Sequence, residues 1–285
     1  MKAFVLALVL AATSLPALSQ PAALIDGVQL PAWRERDGKR LPLAPGMELR
    51  AGDRIISGKD ARVLVKLSEG SVVKLGENGS LRLAEVNASR ELFKAALQVL
   101  EGAFRFTTDI AAKARKREVN VRVEQVTIGI RGTDFWGRSR GDRQIVCLLE
   151  GAIEVGAEGE APVTMDQPRQ FYRREQGRTE PVGMVEPQQL EQWSQETEIG
   201  AGKGALRRGG RFSLQLASAE REAAVRKTLE QLREAGYPAE IQRRQDGEKT
   251  TFVVRIRHLP TREEAQMLGD QLAGKFGVKE PTVTQ

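Results

Sequence analysis

The sequence predicts two domains of different class: an all-β module, built as an antiparallel sandwich or short solenoid, followed by a smaller α+β module with the β-α-β-β-α-β order of ferredoxin-like folds. Three observations carry this. Across residues 24–185 short alternating runs recur at spacings of roughly ten residues, separated by glycine-bearing turns. From residue 211 the apolar period twice becomes helical between further alternating runs. A length of 285 residues also exceeds one typical domain.

The chain opens MKAFVLALVLAATSLPALSQP: Lys2, an apolar run over 3–12, a break at Pro16, and Ala17-Leu18-Ser19 in the small-x-small pattern of a signal-peptidase site. Residues 1–19 are therefore expected to be a signal peptide, cleaved after Ser19 on export. The apolar run is about half of the roughly 20 residues that a membrane helix needs, and no later segment comes closer. The mature protein is expected to have no membrane span.

The β module reads from its runs DARVLVKL, SVVKLGE, SLRLAEV, VNVRVEQV and RQIVCLL, broken by SEG, ENG and RGD. ELFKAALQVL carries helical periodicity, but it leads straight into EGAFRF and is read as a strand. LEGAFRF at 100–106 and LEGAIEV at 149–155 echo each other as two equivalent strand starts after a glycine turn, although two copies are too few for a solenoid. Between them lies IGIRGTDFWG. Arg131 and Asp134 flank Gly132-Thr133, a spacing that suits a turn whose short polar side chains and permissive glycine satisfy the backbone, with Ile130 and Phe135 as core anchors. The stretch is read as a structural corner and not as an active site.

Residues 186–210 begin with a proline-started short helix through Trp193 and then turn glycine-rich and basic, which predicts a flexible linker over about 199–210. GAGKGALRRGG lacks the GxxxxGK[ST] spacing of a phosphate-binding loop. In 211–285, RFSLQLA is a strand, a helix capped by Ser218 runs to Gly236, AEIQRRQ and TTFVVRIR flank the turn DGEK, a second helix closes on Gly277, and EPTVT supplies an edge strand. Alternation turns Phe212, Leu214, Leu216, Phe252, Val254 and Ile256 toward the helices. Ser213, Gln215, Val253 and Arg255 fall on the open face, with Gln242 beside them. Amides, hydroxyls and guanidinium groups on a rigid sheet suit a hydroxyl- and N-acetyl-bearing ligand, and suit a solvated face equally well. The face carries no stacking aromatic pair, which argues against a nucleic-acid partner.

The remaining chemistry is sparse. Cys147 is the only cysteine, so no intramolecular disulfide is available, and its apolar setting IVCLL predicts a buried hydrophobe. His258 is the only histidine, which excludes a histidine-rich metal site and leaves a serine or cysteine nucleophile without its usual base; a strand-exit turn position is expected for it. The carboxylate pairs Glu263-Glu264 and Glu220/Glu222 sit at helix starts, where the helix dipole accounts for them. The chain is therefore read as non-enzymatic, with no cofactor and no metal. Its net charge of +6, with both signs mixed along the chain, implies a solvated surface able to meet an anionic wall or membrane.

Two resemblances sharpen this reading. FSLQLAS and FVVRIRHLPTREEAQMLGDQL resemble the opening strand and the third-strand-to-helix segment of the SPOR domain, a family that binds peptidoglycan, particularly glycan strands stripped of stem peptides, across its exposed sheet. The resemblance implies Gln215 and Arg255 as glycan contacts, with Ser213 and Gln242 added by alternation. Ala217 and Arg257-His258-Leu259 depart from the family's glycine and Gly-Pro-Phe. From about 41 to 182 the chain resembles the FecR domain, on a Gly-Asp before a strand, the Arg-Gly-Thr-Asp-Phe core at 131–135 and the late Glu-Gly-Ala-Ile-Glu-Val. Members include periplasmic sensors that relay outer-membrane transport to a cytoplasmic sigma factor; this chain shows no cytoplasmic helical region or full membrane span ahead of the β module. The expectation is a periplasmic protein that docks on peptidoglycan through its tail and offers its β module to a ligand or another envelope protein. A sensor or scaffold whose tail binds protein and not glycan is the alternative.

Overall fold

A computed structural model describes residues 21–89, 91–108, 116–130 and 132–285; the expected signal peptide and Arg131 lie outside them. The β module is two sheets that share one long strand. Leu92–Thr107 pairs through its first half with Ser80–Ala88 and Lys116–Val123, and through its second half with Val72–Leu75 and Asp134–Arg140 in the other sheet. The segment that carried both helical and strand signals is thus extended, and the alternate burial of Phe93, Ala95, Leu97 and Val99 shows why.

The change of sheet happens at Gly102, whose φ of +90° favours glycine and whose Cβ, if present, would lie 2.6 Å from Gly79 Cα. The pairing slips one residue here, with Ser80 opposite Glu101 but Leu81 opposite Val99, a bulge that bends the strand. The second Leu-Glu-Gly-Ala does the same work in reverse. Arg143–Glu150 belongs to one sheet and Ile153–Ala157 to the other, with Gly151 at φ +84° between them. The sequence echo therefore marks the two places where the chain crosses between layers. One pair departs from the antiparallel expectation: Lys116–Val123 runs parallel to Leu92–Thr107. Because the second half of the long strand has left for the other sheet, the edge beside its first half is open to the next strand in the same direction.

In 211–285 the order is strand, helix, strand, strand, helix, strand. Helix α1, Pro187–Gln195, precedes this part; α2 is Glu222–Glu234 and α3 is Arg262–Leu272. The sheet order is Glu240–Asp246, Lys249–Leu259, Phe212–Ala219, Thr282–Thr284, antiparallel throughout. Val225 and Leu232 from α2, and Ala265, Leu268 and Leu272 from α3, pack on one face. Ser218 does not cap α2: it still pairs with Val253 in the sheet, and the helix starts after Arg221 without a side-chain cap. Thr261 does cap α3, accepting the Glu264 amide at 3.2 Å.

The predicted flexible linker is folded. Leu206–Arg207 pairs antiparallel with Ala23–Gln29, placing Leu206 wholly inside the core. One carboxylate, Glu264, accepts hydrogen bonds from the amides of Gly202 (2.7 Å), Gly204 (2.6 Å) and Ala205 (3.0 Å). Glycine is used here for close approach: a Cβ on Gly204 would lie 2.9 Å from the Leu268 Cβ. The same composition that gives freedom in a bare chain lets this segment wrap a helix start closely enough to be clamped. A second contact joins the modules at Trp33, whose indole N–H donates to the Glu234 carbonyl (3.2 Å) and whose ring packs on Gly236, while the Ala32 amide donates to the Gly236 carbonyl (3.3 Å). One hydrophobic core runs through both modules.

Candidate ligand-binding face

The tail sheet buries one face under helices and leaves the other polar. In register across it, Gln215 stands opposite Arg255, and Arg255 opposite Glu240. Arg255 Nε donates to Glu240 Oε1 (2.9 Å) and its Nη1 to Gln242 Oε1 (2.8 Å). Arg244 Nε donates to the same Gln242 oxygen (3.0 Å) and its Nη1 reaches Gln215 Oε1 (3.4 Å), while Arg257 Nε lies 2.9 Å from Glu240 Oε1. Gln215, Gln242 and Arg255 are therefore brought into one network. Ser213 stands on the neighbouring position of its strand opposite Thr284, and among the described residues no hydrogen bond ties it to that network.

Arg244, Arg257 and Glu240 belong to this face and were missed, although the signal was available: Glu-x-Gln-x-Arg at 240–244 and Arg-x-Arg at 255–257 have the period of one sheet face. Three guanidinium groups share the face with one carboxylate, which pairs with two of them, so the face is cationic, and Arg255 is fixed by its partners with 19% of its side chain exposed. Such a fork presents donors in a set geometry, while the glutamine amides both donate and accept. Val253 stands opposite Gln242 and two residues before Arg255, on the open face as expected, but only 2% of it is exposed among the polar side chains there. A register slip between Gln215 and Ala217 bends the neighbouring strand Phe212–Ala219.

His258 lies in strand Lys249–Leu259 and not in a turn, at φ +69°, where the pairing slips between Phe212 and Leu214. Burial, and then the Arg257 charge, hold its imidazole below the ordinary 6.5, with Glu240 pulling the other way. Cys147 is fully buried and its thiol is pushed up to about 12, so no reactive thiolate forms.

The Gly132–Phe135 part of the Arg-Gly-Thr-Asp-Phe stretch forms a corner. Gly132 has φ +65°, and Asp134 accepts both Arg105 Nε (2.8 Å) and Nη2 (2.6 Å). Phe135 is buried, edge-on to Phe104 at 5.9 Å and stacked on Phe106 at 5.6 Å. The crossing glycine of the second Leu-Glu-Gly-Ala seats against this corner, since a Cβ on Gly151 would meet the Gly132 carbonyl at 2.4 Å. On the outer surface of the same module, Arg143, Arg173, Phe171, Met184 and Trp193 border a groove of about 560 Å³ at the start of α1. Among the described residues no helix is long and apolar enough to cross a membrane.

No curated protein matches the sequence. Two crystal structures of a candidate anti-sigma factor from Parabacteroides distasonis are similar in part: one at 19% identity, covering 50% of this chain and 64% of its own length, the other at 14% identity, covering 73% and 99%, each with a TM-score of 0.41. Two family profiles match, one described as FecR protein over residues 53–154 and one as SPOR domain over residues 209–281. The chain thus carries a FecR domain followed by a C-terminal SPOR domain.

Proposed function

We propose that this is an exported envelope protein that loses residues 1–19, resides in the periplasm, and binds peptidoglycan glycan strands through the open sheet face of 211–285, while the β module of 24–185 is presented to a ligand or protein partner. A SPOR domain supports peptidoglycan binding at the level of the family. The strand order of the tail is the one expected of a ferredoxin-like module, which leaves one whole sheet face for a ligand. The observation that carries the reading is the network of Gln215, Gln242, Arg244 and Arg255, held on rigid strands. Glycan hydroxyls and N-acetyl groups need donors and acceptors in fixed positions more than they need a counter-charge.

Binding and not turnover is the activity proposed, in keeping with a SPOR domain. The test is co-sedimentation of the full chain with purified sacculi. Wild type should pellet, and Gln215→Ala combined with Arg255→Ala should reduce binding about tenfold or more, since a hydrogen bond to a charged group contributes roughly 1.5–3 kcal/mol. Unchanged retention by the folded double variant would move the site elsewhere. No retention of wild type would leave the protein-binding reading of the tail.

A further inference from the structure

The short helix ahead of the tail leaves a space that its packing role does not account for. Strands Arg143–Glu150 and Gln170–Glu175 pair with Arg143 opposite Glu175, Ile145 opposite Arg173 and Cys147 opposite Phe171. Helix α1 lies over this outward side of their sheet, where Trp136, Ile145, Cys147 and Val185 form a small core separate from the main one. Trp193 of α1 stacks on Trp136 with ring centroids 4.8 Å apart and planes 7° from parallel, and Phe171 stands edge-on to Trp193 at 6.3 Å. A helix that only sealed the sheet would leave no room beside it. Here a cleft of about 560 Å³ remains between α1 and the strands, within the ~300–1,000 Å³ range of ligand clefts.

The lining is of two kinds. Ile145, Phe171, Val185 and Trp193 make its apolar side, and Met184, 51% exposed, carries that side out to the rim. The polar side is Gln188, Gln189 and Gln192 from α1, with Arg143 and Arg173 from the strands and Glu186 at the helix start. Gln189 Nε2 donates to Gln192 Oε1 at 3.2 Å, which leaves the Gln192 amide to donate and the Gln189 oxygen to accept. Both arginines have carboxylates beside them: Arg143 Nε lies 3.7 Å from Glu175 Oε2, and Arg173 is paired with Glu180.

We infer that this cleft binds a neutral saccharide, its pyranose ring seated against Trp193 and Phe171. A pyranose has an apolar C–H face and a rim of hydroxyls, which match the two kinds of lining. Aromatic rings take the face, and amides that both donate and accept take the rim. Charge points the same way. With Glu175, Glu180 and Glu186 beside two arginines, the cleft holds no unopposed positive charge for an anion, and the two guanidinium groups oppose a cation. The ring has two sources, an N-acetylated sugar or one that bears hydroxyls alone. This inference rests on the reading of the β module as one that receives a ligand, and not on glycan binding by the tail, whose face belongs to a different sheet.

The test is an NMR titration of the full chain, read at the Trp193 indole N–H and at the backbone amides of Phe171, Met184 and Gln192. The probes are N,N′-diacetylchitobiose and cellobiose, with hexanoate as an apolar carboxylate and cyclohexanol as a ring with a single hydroxyl. Saturable shifts stronger than those from hexanoate or cyclohexanol are expected with at least one disaccharide. Response to diacetylchitobiose alone assigns an N-acetylated sugar; response to cellobiose, alone or as well, assigns recognition of the hydroxylated ring. Affinity should fall about threefold to tenfold in Gln192→Ala, the loss of one neutral hydrogen bond, and about tenfold in Trp193→Leu, the loss of the aromatic surface. Should Trp193→Leu fail to fold, Gln192→Ala, at an exposed position, carries the test. Shifts at Gln215 and Arg255 report the tail face separately, so failure of one site is told apart from failure of the other. Absence of saturable shifts in the cleft with both disaccharides at tens of millimolar, shifts as large with hexanoate or cyclohexanol, or undiminished affinity in the folded variants would overturn the inference.

Discussion

The two modules use their sheets differently. In the β module the long strand Leu92–Thr107 serves two layers, and both sheets turn their apolar sides inward, so Phe93, Phe104, Phe106 and Phe135 fill one interior. In the tail, two helices cover one face of a four-stranded sheet, and the opposite face is a mesh of arginine, glutamine and glutamate. A sandwich spends its sheet faces on stability; a sheet covered on one side keeps a rigid surface free for recognition. Substitutions in the first region should therefore act on folding, and those on the tail face on binding.

The largest expected effect tests the first half of that contrast. Phe104→Ala removes a fully buried ring from the junction of the two sheets and should cost about 3–5 kcal/mol, read from denaturant unfolding. A cost below 1 kcal/mol would mean that the crossing strand is not the centre of the core. On the tail face, Gln215→Ala should leave stability within about 0.5 kcal/mol.

The next effect concerns the seam between the regions. Glu264→Ala strands three backbone amides and should cost about 2–3 kcal/mol, with faster hydrogen exchange at Gly202, Gly204 and Ala205. Unchanged exchange there would restore a loose tether between the modules. A smaller effect is expected from pH. His258 is held below 6.5 in the fold, so the unfolded chain binds the proton more readily. The stability from the neutral ring is complete above about pH 6.5 and is lost as pH falls from there toward the lower folded value. His258→Asn, which tolerates the positive φ, should flatten the stability profile between about pH 7 and 5. The smallest is a silence: with its thiol at about 12 and fully buried, native Cys147 should not react with iodoacetamide at about pH 8, and should react once unfolded.

Much of this was legible residue by residue. Alternating apolar runs marked the strands because a pleated sheet repeats every two residues, and the same rule placed Gln215, Gln242 and Arg255 on one face. The rule failed where the register slips: near Phe212, His258 takes a left-handed backbone inside a strand. Bulges leave no mark in hydrophobic period, because one extra residue alters direction and not composition. Ser218 misled as a cap because a serine before a helical run reads alike whether or not the strand has ended.

By itself, the sequence determined the class of each module, the two Leu-Glu-Gly-Ala crossings as equivalent features, and the polar make-up of the tail face, since these follow from local periodicity and from glycine's backbone freedom. Only the tertiary structure decided that residues 199–210 are clamped and not loose, and that Asp134 pairs with Arg105 across two strands. Each of those depends on partners far apart in the chain. A glycine-rich stretch or a lone carboxylate takes its character from whatever the fold sets beside it.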